Sequence, residues 1–424
     1  MYVGVDGSYP YCSGTPVHKR LPRSDGKITN TIAMTTLLHV SDTHLGNRQY
    51  GNEIRADDMA AAFEQSIDIA VNEGVDAVIH TGDLFDSRMP SLPEVTRCVQ
   101  TLRKLEEANI PFYGIVGNHD RKMDEQWLDL IHETGTAHRL SRTPTMVDDV
   151  ALYGIDAVTS PSWHSTDFTL EPPEASDTFT LLCMHQLLTP PIPGPEDVIA
   201  DHPTTEVLER VGIDIDALAL GDYHKPVETT IAGVPVWYAG STERCSIDET
   251  EPRSVSLLEI QDGTLRRHRH ELDTREFVSL SIEFSDGDVH GRVASALDQY
   301  DLDNTVTHTT LHGVRTAVTS SDVYSAVMDR GAAVCKVKDD RGRREIELNE
   351  KPNGSVREPD AIIEEQLADE ELSDTALAID ERVRGDPSLP NAKSDVADEI
   401  EDDIERARAN AFADTEQTEG SNEN

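Results

Sequence analysis

The sequence predicts an α/β protein followed by a smaller α+β unit. Three observations carry that expectation. Short apolar runs alternate with stretches of helical spacing from Thr36 to about Leu220, the pattern of sheets covered by helices. Near Thr274 the composition changes, and strand-like and helix-like segments alternate again over a shorter span. After about Lys351 the chain becomes acidic, with 22 acidic and five basic side chains in residues 358–424.

The elements follow in order. Thr36–Ser41 (TLLHVS) is a short apolar run that reads as a buried strand. Asp57–Asn72 has helical spacing, with Met59, Phe63, Ile67 and Val71 falling four apart. Val75–His80 is the next strand, Leu92–Ala108 a helix, Pro111–Val116 a third strand and Asp124–Glu133 a short helix. Thr178–Met184 and Ala217–Leu220 are further strands, and Pro190–Pro203, with five prolines, is a loop. In the later unit, Phe277–Phe284, Thr305–Leu311 and Ala333–Lys338 read as strands. Val289–Tyr300 and Ser321–Asp329 read as the helices between them. Two helical patterns remain in the acidic tail: Ala361–Val383, and a stripe of Val396, Ile400 and Ile404. A stripe that thin cannot build a core. It is either a solvated helix or one that docks on a partner. Residues 1–33 are rich in Gly, Pro, Tyr and Ser and lack the apolar core of a signal peptide, while Met34 stands directly before the first strand. We expect a disordered extension or misplaced start over 1–34, domains at 35–272 and 273–350, and a tail over 351–424.

Composition narrows the class. The 424 residues hold 37 Lys and Arg against 80 Asp and Glu, a formal charge of −43, and nine Lys against 28 Arg. Such acidity has two explanations, disorder or adaptation to a cytoplasm of molar salt, where the Debye length shrinks to ~3 Å. The clear strand and helix patterns favour the second. The five cysteines (Cys12, Cys98, Cys183, Cys245 and Cys335) are scattered and form no CxxC pair, which points to a reducing interior with no disulfide frame or cysteine zinc site. No apolar run approaches the ~20 residues that span a bilayer. A soluble cytoplasmic protein with no membrane association is expected.

The informative residues stand at the ends of the expected strands. Asp42-Thr-His44 follows the first, Gly82-Asp83 with Asp86 the second, and Gly117-Asn118-His119-Asp120 the third. His185 ends the Thr178–Met184 run, and Gly221-Asp222-Tyr223-His224 follows Ala217–Leu220. Ligands of open α/β sheets bind beyond the carboxyl ends of strands. Each piece alone reads as turn chemistry or a core histidine; five together, at matching ends, read as a metal centre. Mixed carboxylate, imidazole and amide oxygen suits manganese, and also iron or zinc. Two cations ~3.5–4 Å apart need an anion between them, and Asp83 is the candidate bridge. Asp42, His44 and His224 complete one position; Asn118, His185 and Asp222 complete the other. A water shared by both ions would attack phosphorus in line, with His119 placed to protonate the leaving alkoxide.

The motif set resembles the calcineurin-like metallophosphoesterase superfamily over about residues 36–245. Within it, the chain is most similar to the Mre-eleven (SbcD-type) nuclease family of double-strand-break repair. The likeness rests on Ser41-Asp-Thr-His-Leu-Gly46 running on to Gln49-Tyr-Gly51, on Thr81-Gly-Asp-Leu-Phe-Asp86 and on Gly117-Asn-His-Asp120. It rests also on Met184-His-Gln186 and Tyr238-Ala-Gly-Ser-Thr-Glu-Arg244. The resemblance implies a two-sheet sandwich flanked by helices, a small DNA-capping domain at 273–350, and dimers. It implies two manganese ions held by Asp42, His44, Asp83, Asn118, His185 and His224, with His119 as proton donor. It also implies exonuclease action on duplex ends, endonuclease action on single strands, and a C-terminal helix that clips onto a Rad-fifty (SbcC-type) ATPase. One position departs: the family usually reads G-H-x-H where this chain has Gly221-Asp222-Tyr223-His224. Asp222 is either an oxygen ligand or a turn residue beside an impaired second site.

Asn47, Arg48, Tyr50, Arg88 and Arg244 lie near the ligands in sequence and are candidate DNA contacts through phosphate; ion pairing among the many carboxylates explains the arginines equally well. No broad basic patch is expected. Two other functions stay open: a phosphodiesterase of small nucleotides, and a scaffold that binds DNA ends but cleaves poorly.

Overall fold

The computed structural model describes residues 34–122, 125–192, 202–249 and 251–342. They fall in one compact unit whose last residue is Arg343. The expectations for residues 1–33, for the middle of the proline-rich loop, and for the tail with its Ala361–Val383 and Val396–Ile404 patterns lie outside the described residues.

Two six-stranded sheets face each other. The first has the order Thr264–Glu271, Ser254–Gln261, Thr35–Val40, Ala77–His80, Phe112–Gly114, His138–Arg139. The second has the order Val227–Ile231, Val234–Tyr238, Ala217–Gly221, Phe179–His185, Val150–Ile155, Thr145–Val147. In both, the central strands are parallel, so their carboxyl ends open on one edge. Alternation along the first strand sorts the layers. Leu37 points between the sheets, where it meets Ile79, Leu181 and Trp237. Leu38 and Val40 point outward, to Phe63, Ile67 and Leu102 of the covering helices. Trp163, Phe168 and Val207 cover the far face of the second sheet.

The covering helices are Glu53–Glu73 and Leu92–Ala108. The first starts a turn earlier than Asp57 because the Asn52 side chain accepts a bond from the Ile54 N–H, and it stops at Gly74 in the left-handed region. The second matches its expected bounds, with a Ser91/Glu94 capping box before it and left-handed Asn109 after it. The third helix is shorter than expected, Trp127–Glu133. Three hairpins were not expected at all: Thr145–Val147 into Val150–Ile155, and two with glycine in the turn. Val227–Ile231 turns into Val234–Tyr238 through Ala232-Gly233, and Ser254–Gln261 into Thr264–Glu271 through Asp262-Gly263. All four turn residues have positive φ, the geometry of a tight hairpin turn. The last of these strands carries the basic run Arg266-Arg267-His268-Arg269-His270 on the sheet edge. Part of that charge is paired, with Arg267 on Glu228, His268 near Glu259 and His270 near Glu73.

The later unit is a three-stranded sheet of Phe277–Phe284, Val306–Gly313 and Val334–Asp339, all parallel. Helices His290–Leu297 and Ser320–Met328 make the crossovers. It has its own core of Ile282, Phe284, Leu297, Leu311 and Val323. A buried arginine clamps this unit to the first helix. Arg55 donates to Gln49 Oε1 (3.0 Å), Asp58 Oδ2 (2.6 Å) and the Arg244 carbonyl (2.8 Å), and its guanidinium lies 4.8 Å from the centre of the Phe277 ring. Arg275, from the connection into the later sheet, forks onto both oxygens of Asp58. No helix among the described residues is long and apolar enough to cross a membrane.

Candidate metal centre

The loops after the parallel strands bend sharply, and the bends fall on the polar residues themselves. Asp42, His44, Asp83 and Asp222 have φ of 50°, 42°, 54° and 89°, a region that aspartate tolerates better than most residues. The first two loops are laced together by backbone bonds from His44 N to Asp83 O and from Leu45 N to Leu84 O, both 3.0 Å. Glycine makes the close approach possible. A Cβ on Gly117 would run into the Asp83 backbone and carboxyl, and one on Gly221 would lie 2.5 Å from Ser41 Oγ and 2.8 Å from His185 Nδ1.

The structure brings the seven expected ligands together. His44 Nε2 is 3.1 Å from His224 Nε2 and 3.7 Å from Asp83 Oδ2. His185 Nε2 is 2.9 Å from Asn118 Oδ1, 3.4 Å from Asp83 Oδ2 and 3.7 Å from Asp222 Oδ1. Asp42 Oδ1 lies 4.0 Å from His185 Nδ1 and accepts the Asp222 N–H at 3.0 Å. Asp83 therefore stands between the two groups, within reach of both His44 and His185. Two imidazoles are tied from behind: His185 Nδ1 to the Thr81 carbonyl (2.7 Å) and His224 Nδ1 to Glu249 Oε1 (2.9 Å). Each leaves Nε2 turned toward the cluster, as metal-binding histidines are held.

Charge tells the same story. Burial pushes the Asp222 carboxyl up to about 6, with the neighbouring Asp83 and Asp42 adding to it. Burial alone would also raise Asp83, but the His185 and His44 rings outweigh it and hold that carboxyl far below its usual range. Asp42, Asp83 and the partly exposed Asp222 converge with three imidazoles, and the three carboxylates repel one another unless positive charge sits among them. The donor set fits a pair of divalent cations.

Behind Asp42 runs a chain of buried hydrogen bonds. The Trp237 indole N–H donates to His39 Nδ1 (2.9 Å), and His39 Nε2 meets Thr81 Oγ1 (2.8 Å). Thr81 Oγ1 donates to Ser41 Oγ (2.8 Å), and Ser41 Oγ donates to Asp42 Oδ2 (2.6 Å). The indole can only donate, so the His39 proton must be on Nε2 and every donor points toward the carboxylate. Burial drives the His39 ring down to about 3, with Arg267 and His80 helping. His39, Trp237 and Glu249 were not among the expected residues. Asp120, the last residue of the Gly117–Asp120 motif, is buried too and caps the loops, accepting from Leu84 N and Gly117 N at 2.9 Å each.

A family model, calcineurin-like phosphoesterase, matches residues 35–226. The chain is 36% identical over 374 residues to the DNA double-strand break repair protein Mre11 of Haloferax volcanii, covering 88% of this chain and 82% of that protein. It is 35% identical over 359 residues to the protein of the same name from Halobacterium salinarum, covering 83% and 90%. The chain belongs to the Mre11 family. Two further members, from Methanosarcina mazei and Methanosarcina acetivorans, are 38% and 36% identical, and the chain spans 58% and 59% of their length.

Family membership sharpens two points. Asp222, where the resemblance implied a histidine, stands inside the donor cluster, and about a quarter of its side chain is exposed. The five candidate DNA contacts separate. Arg88 is exposed, as is Tyr50, with 37% of its surface open. Asn47 donates to Asp86 Oδ1 at 2.9 Å, beside the cluster. Arg48 is engaged by Glu53 (2.8 Å) and Glu94 (2.9 Å). Arg244 turns inward, onto Thr274 Oγ1 (2.9 Å) and the Phe277 ring. Its guanidinium ties the phosphoesterase domain to the later unit instead of facing solvent.

Proposed function

We propose that this Mre11-family chain is a manganese-dependent DNA nuclease of a double-strand-break repair complex, acting on duplex ends and single strands. One observation carries the proposal: seven ligand-type side chains converge at the strand ends, with His119 exposed beside them. Asp42, His44 and His224 would hold one cation, Asn118, His185 and Asp222 the other, and Asp83 both. Such a pair supplies charge neutralisation at the phosphoryl oxygens and acidifies a water enough to attack near neutral pH.

The chain's own groups supply the rest. His119 Nδ1 meets the Asp86 carbonyl at 3.1 Å, and its ring packs edge-on against His44 with centroids 4.9 Å apart. With Nδ1–H donating to that carbonyl, Nε2 is the nitrogen left to face the leaving oxygen, and it gives a proton when the ring is the imidazolium, reverting to the neutral Nδ1–H form. The relay from Trp237 fixes the Asp42 carboxylate, while Thr81 and Glu249 fix the rings of His185 and His224.

The partners belong to the same proposal. Met89, Leu92 and Leu130 are 83%, 79% and 51% exposed around the second and third helices. The segments that carry them meet through the Trp127 indole, which donates to the Arg88 carbonyl at 2.9 Å, and a second copy of the chain is the proposed cover. Residues 273–350 are the proposed DNA-capping domain, and the acidic tail is the proposed attachment to a Rad-fifty (SbcC-type) ATPase, in the cytoplasm. Asp222 favours one competing function, a scaffold that binds DNA ends and cleaves poorly.

The test is cleavage of end-labelled duplex and single-stranded DNA in molar potassium chloride with manganese, for wild type beside His119→Ala. We expect manganese-dependent cutting by the wild type and a loss of about 10²–10⁴-fold in the variant, with manganese binding retained. A wild type that binds manganese and DNA ends without cutting, even with the ATPase present, would establish the scaffold instead.

A further inference from the structure

The position shared by His44 and His224 has a donor that neither the sequence motifs nor the family resemblance assigned. Cys245 offers its Sγ there: one ligand atom from each of His44, His224 and Cys245 lies within 4.8 Å of the other two. The thiol is in no disulfide; it lies against the His224 side chain and donates weakly to the Glu243 carbonyl at 3.6 Å. The loop that carries it is fixed on both sides. Gln49 Nε2 donates to the Cys245 carbonyl at 2.9 Å, and the Cys245 N–H donates to Glu249 Oε2 at 3.0 Å. Glu249 Oε1 is the atom that takes the His224 Nδ1 bond. One carboxylate therefore orients an imidazole with one oxygen and the thiol-bearing loop with the other. Arg253, buried, holds that carboxylate through Nη1 at 3.2 Å and the His224 carbonyl at 3.0 Å. The His44 side chain is itself 2% exposed, with Nε2 3.1 Å from His224 Nε2 and Nδ1 3.4 Å from Asp86 Oδ1.

We propose that Cys245 is a metal ligand, and that it makes this position selective for a thiophilic divalent ion such as zinc or cobalt over manganese. The inference rests on the reading that the cluster holds two cations. Thiolate is a soft donor that zinc and cobalt favour, whereas carboxylate and amide oxygens suit manganese. The two positions then differ in kind. Asp42, His44, His224 and Cys245 make one softer position, Asn118, His185 and Asp222 make one dominated by oxygen, and Asp83 stands between them. Coordination replaces the S–H proton with a sulfur–metal bond and releases that proton to solvent. The centre is built to hold two different ions.

The experiment titrates cobalt alone into the metal-free full chain in molar potassium chloride, following visible d–d absorption and the near-ultraviolet sulfur-to-cobalt charge-transfer band. Wild type should show both. Cys245→Ser should keep the d–d bands and lose the charge-transfer band, and Cys245→Ala should do the same. Competition with a chelator should show zinc affinity falling at least about ten- to a hundredfold in the variants, the loss typical of removing even an outer support of a ligand, with manganese affinity unchanged. Absorption by d–d bands without charge transfer in the wild type would overturn the inference and leave the metal centre standing. So would a charge-transfer band that survives in Cys245→Ser, since Cys12, Cys98, Cys183 or Cys335 would then be its source. Failure of cobalt, zinc and manganese alike to bind the wild type would sink the metal centre and the inference with it.

Discussion

Gly117→Ala tests whether the centre depends on backbone contact between its loops. Gly117 has no unusual φ, so alanine brings no backbone strain, only a methyl group. That methyl would lie 2.7 Å from the Asp83 carboxyl carbon, and closer still to its Oδ1 and backbone N. Ordinary contact begins at 3.4 Å, so Asp83 must retreat by at least 3.4 − 2.7 = 0.7 Å. It cannot swing aside, because its backbone is struck as well as its side chain. Overpacking of this kind costs about 1–3 kcal/mol, and a misplacement near 1 Å costs ~10²-fold in rate. The assay pairs thermal unfolding with calorimetric manganese binding, and Gly291→Ala is the control. Gly291 sits in helix His290–Leu297 with nothing within 4 Å of the added carbon, so alanine there should stabilise by about 0.5–1 kcal/mol. A Gly117→Ala protein with wild-type unfolding temperature and manganese affinity would refute the close-approach argument.

Three further outcomes are expected. Glu249→Gln should weaken ion binding about 10–100-fold in a binding titration, because the amide supports His224 less strongly than a carboxylate; unchanged affinity would mean that Glu249 only braces Arg253. Arg55→Ala should cost about 3–5 kcal/mol in chemical denaturation, because it leaves buried Glu243, 3.3 Å from the guanidinium, without its cation, while Asp58 keeps Arg275; a loss below about 1 kcal/mol would show the clamp to be dispensable. His39 is held neutral, with its pKa lowered from 6.5 to about 3. Its contribution to stability is therefore present above about pH 6.5 and is lost as pH falls toward about 3, by up to about 1.4 kcal/mol per pH unit. His39→Gln should flatten the acid limb of a stability–pH curve, and an identical slope in the variant would assign that limb to other groups.

The centre was legible because its residues directly follow apolar strands. An Asp-x-His after TLLHVS, or a Gly-Asp after VDAVIH, announces its own location at a strand end. The helix Leu92–Ala108 was legible for a similar local reason, the Ser91-to-Glu94 box and the apolar stripe. The edge hairpins were not. Thr264–Glu271 exposes charge on both faces, so its alternation is hidden and it reads as a polar stretch, although Asp262-Gly263 marks the turn. The start of the first helix was missed because its apolar stripe begins at Met59, a turn after the Asn52 cap. His39, Trp237, Glu249 and Cys245 were out of reach for another reason. The indole lies 198 residues along the chain from the imidazole it meets, and no local pattern records such a pairing. Arg244 shows the opposite case, where sequence proximity suggested a phosphate contact and packing turned the guanidinium inward.

The left-handed backbone at Asp42, His44, Asp83 and Asp222 has a consequence for how such a chain changes over time. A side chain in that region costs about 1–2 kcal/mol that glycine would not. Replacing any of the four with glycine would relax the loop while deleting a donor, so the backbone gains ease as the chemistry disappears. Folding stability, as a selective pressure, thus pushes against these residues. Where mutation is screened only for soluble, stable protein, this corner of the molecule should erode first.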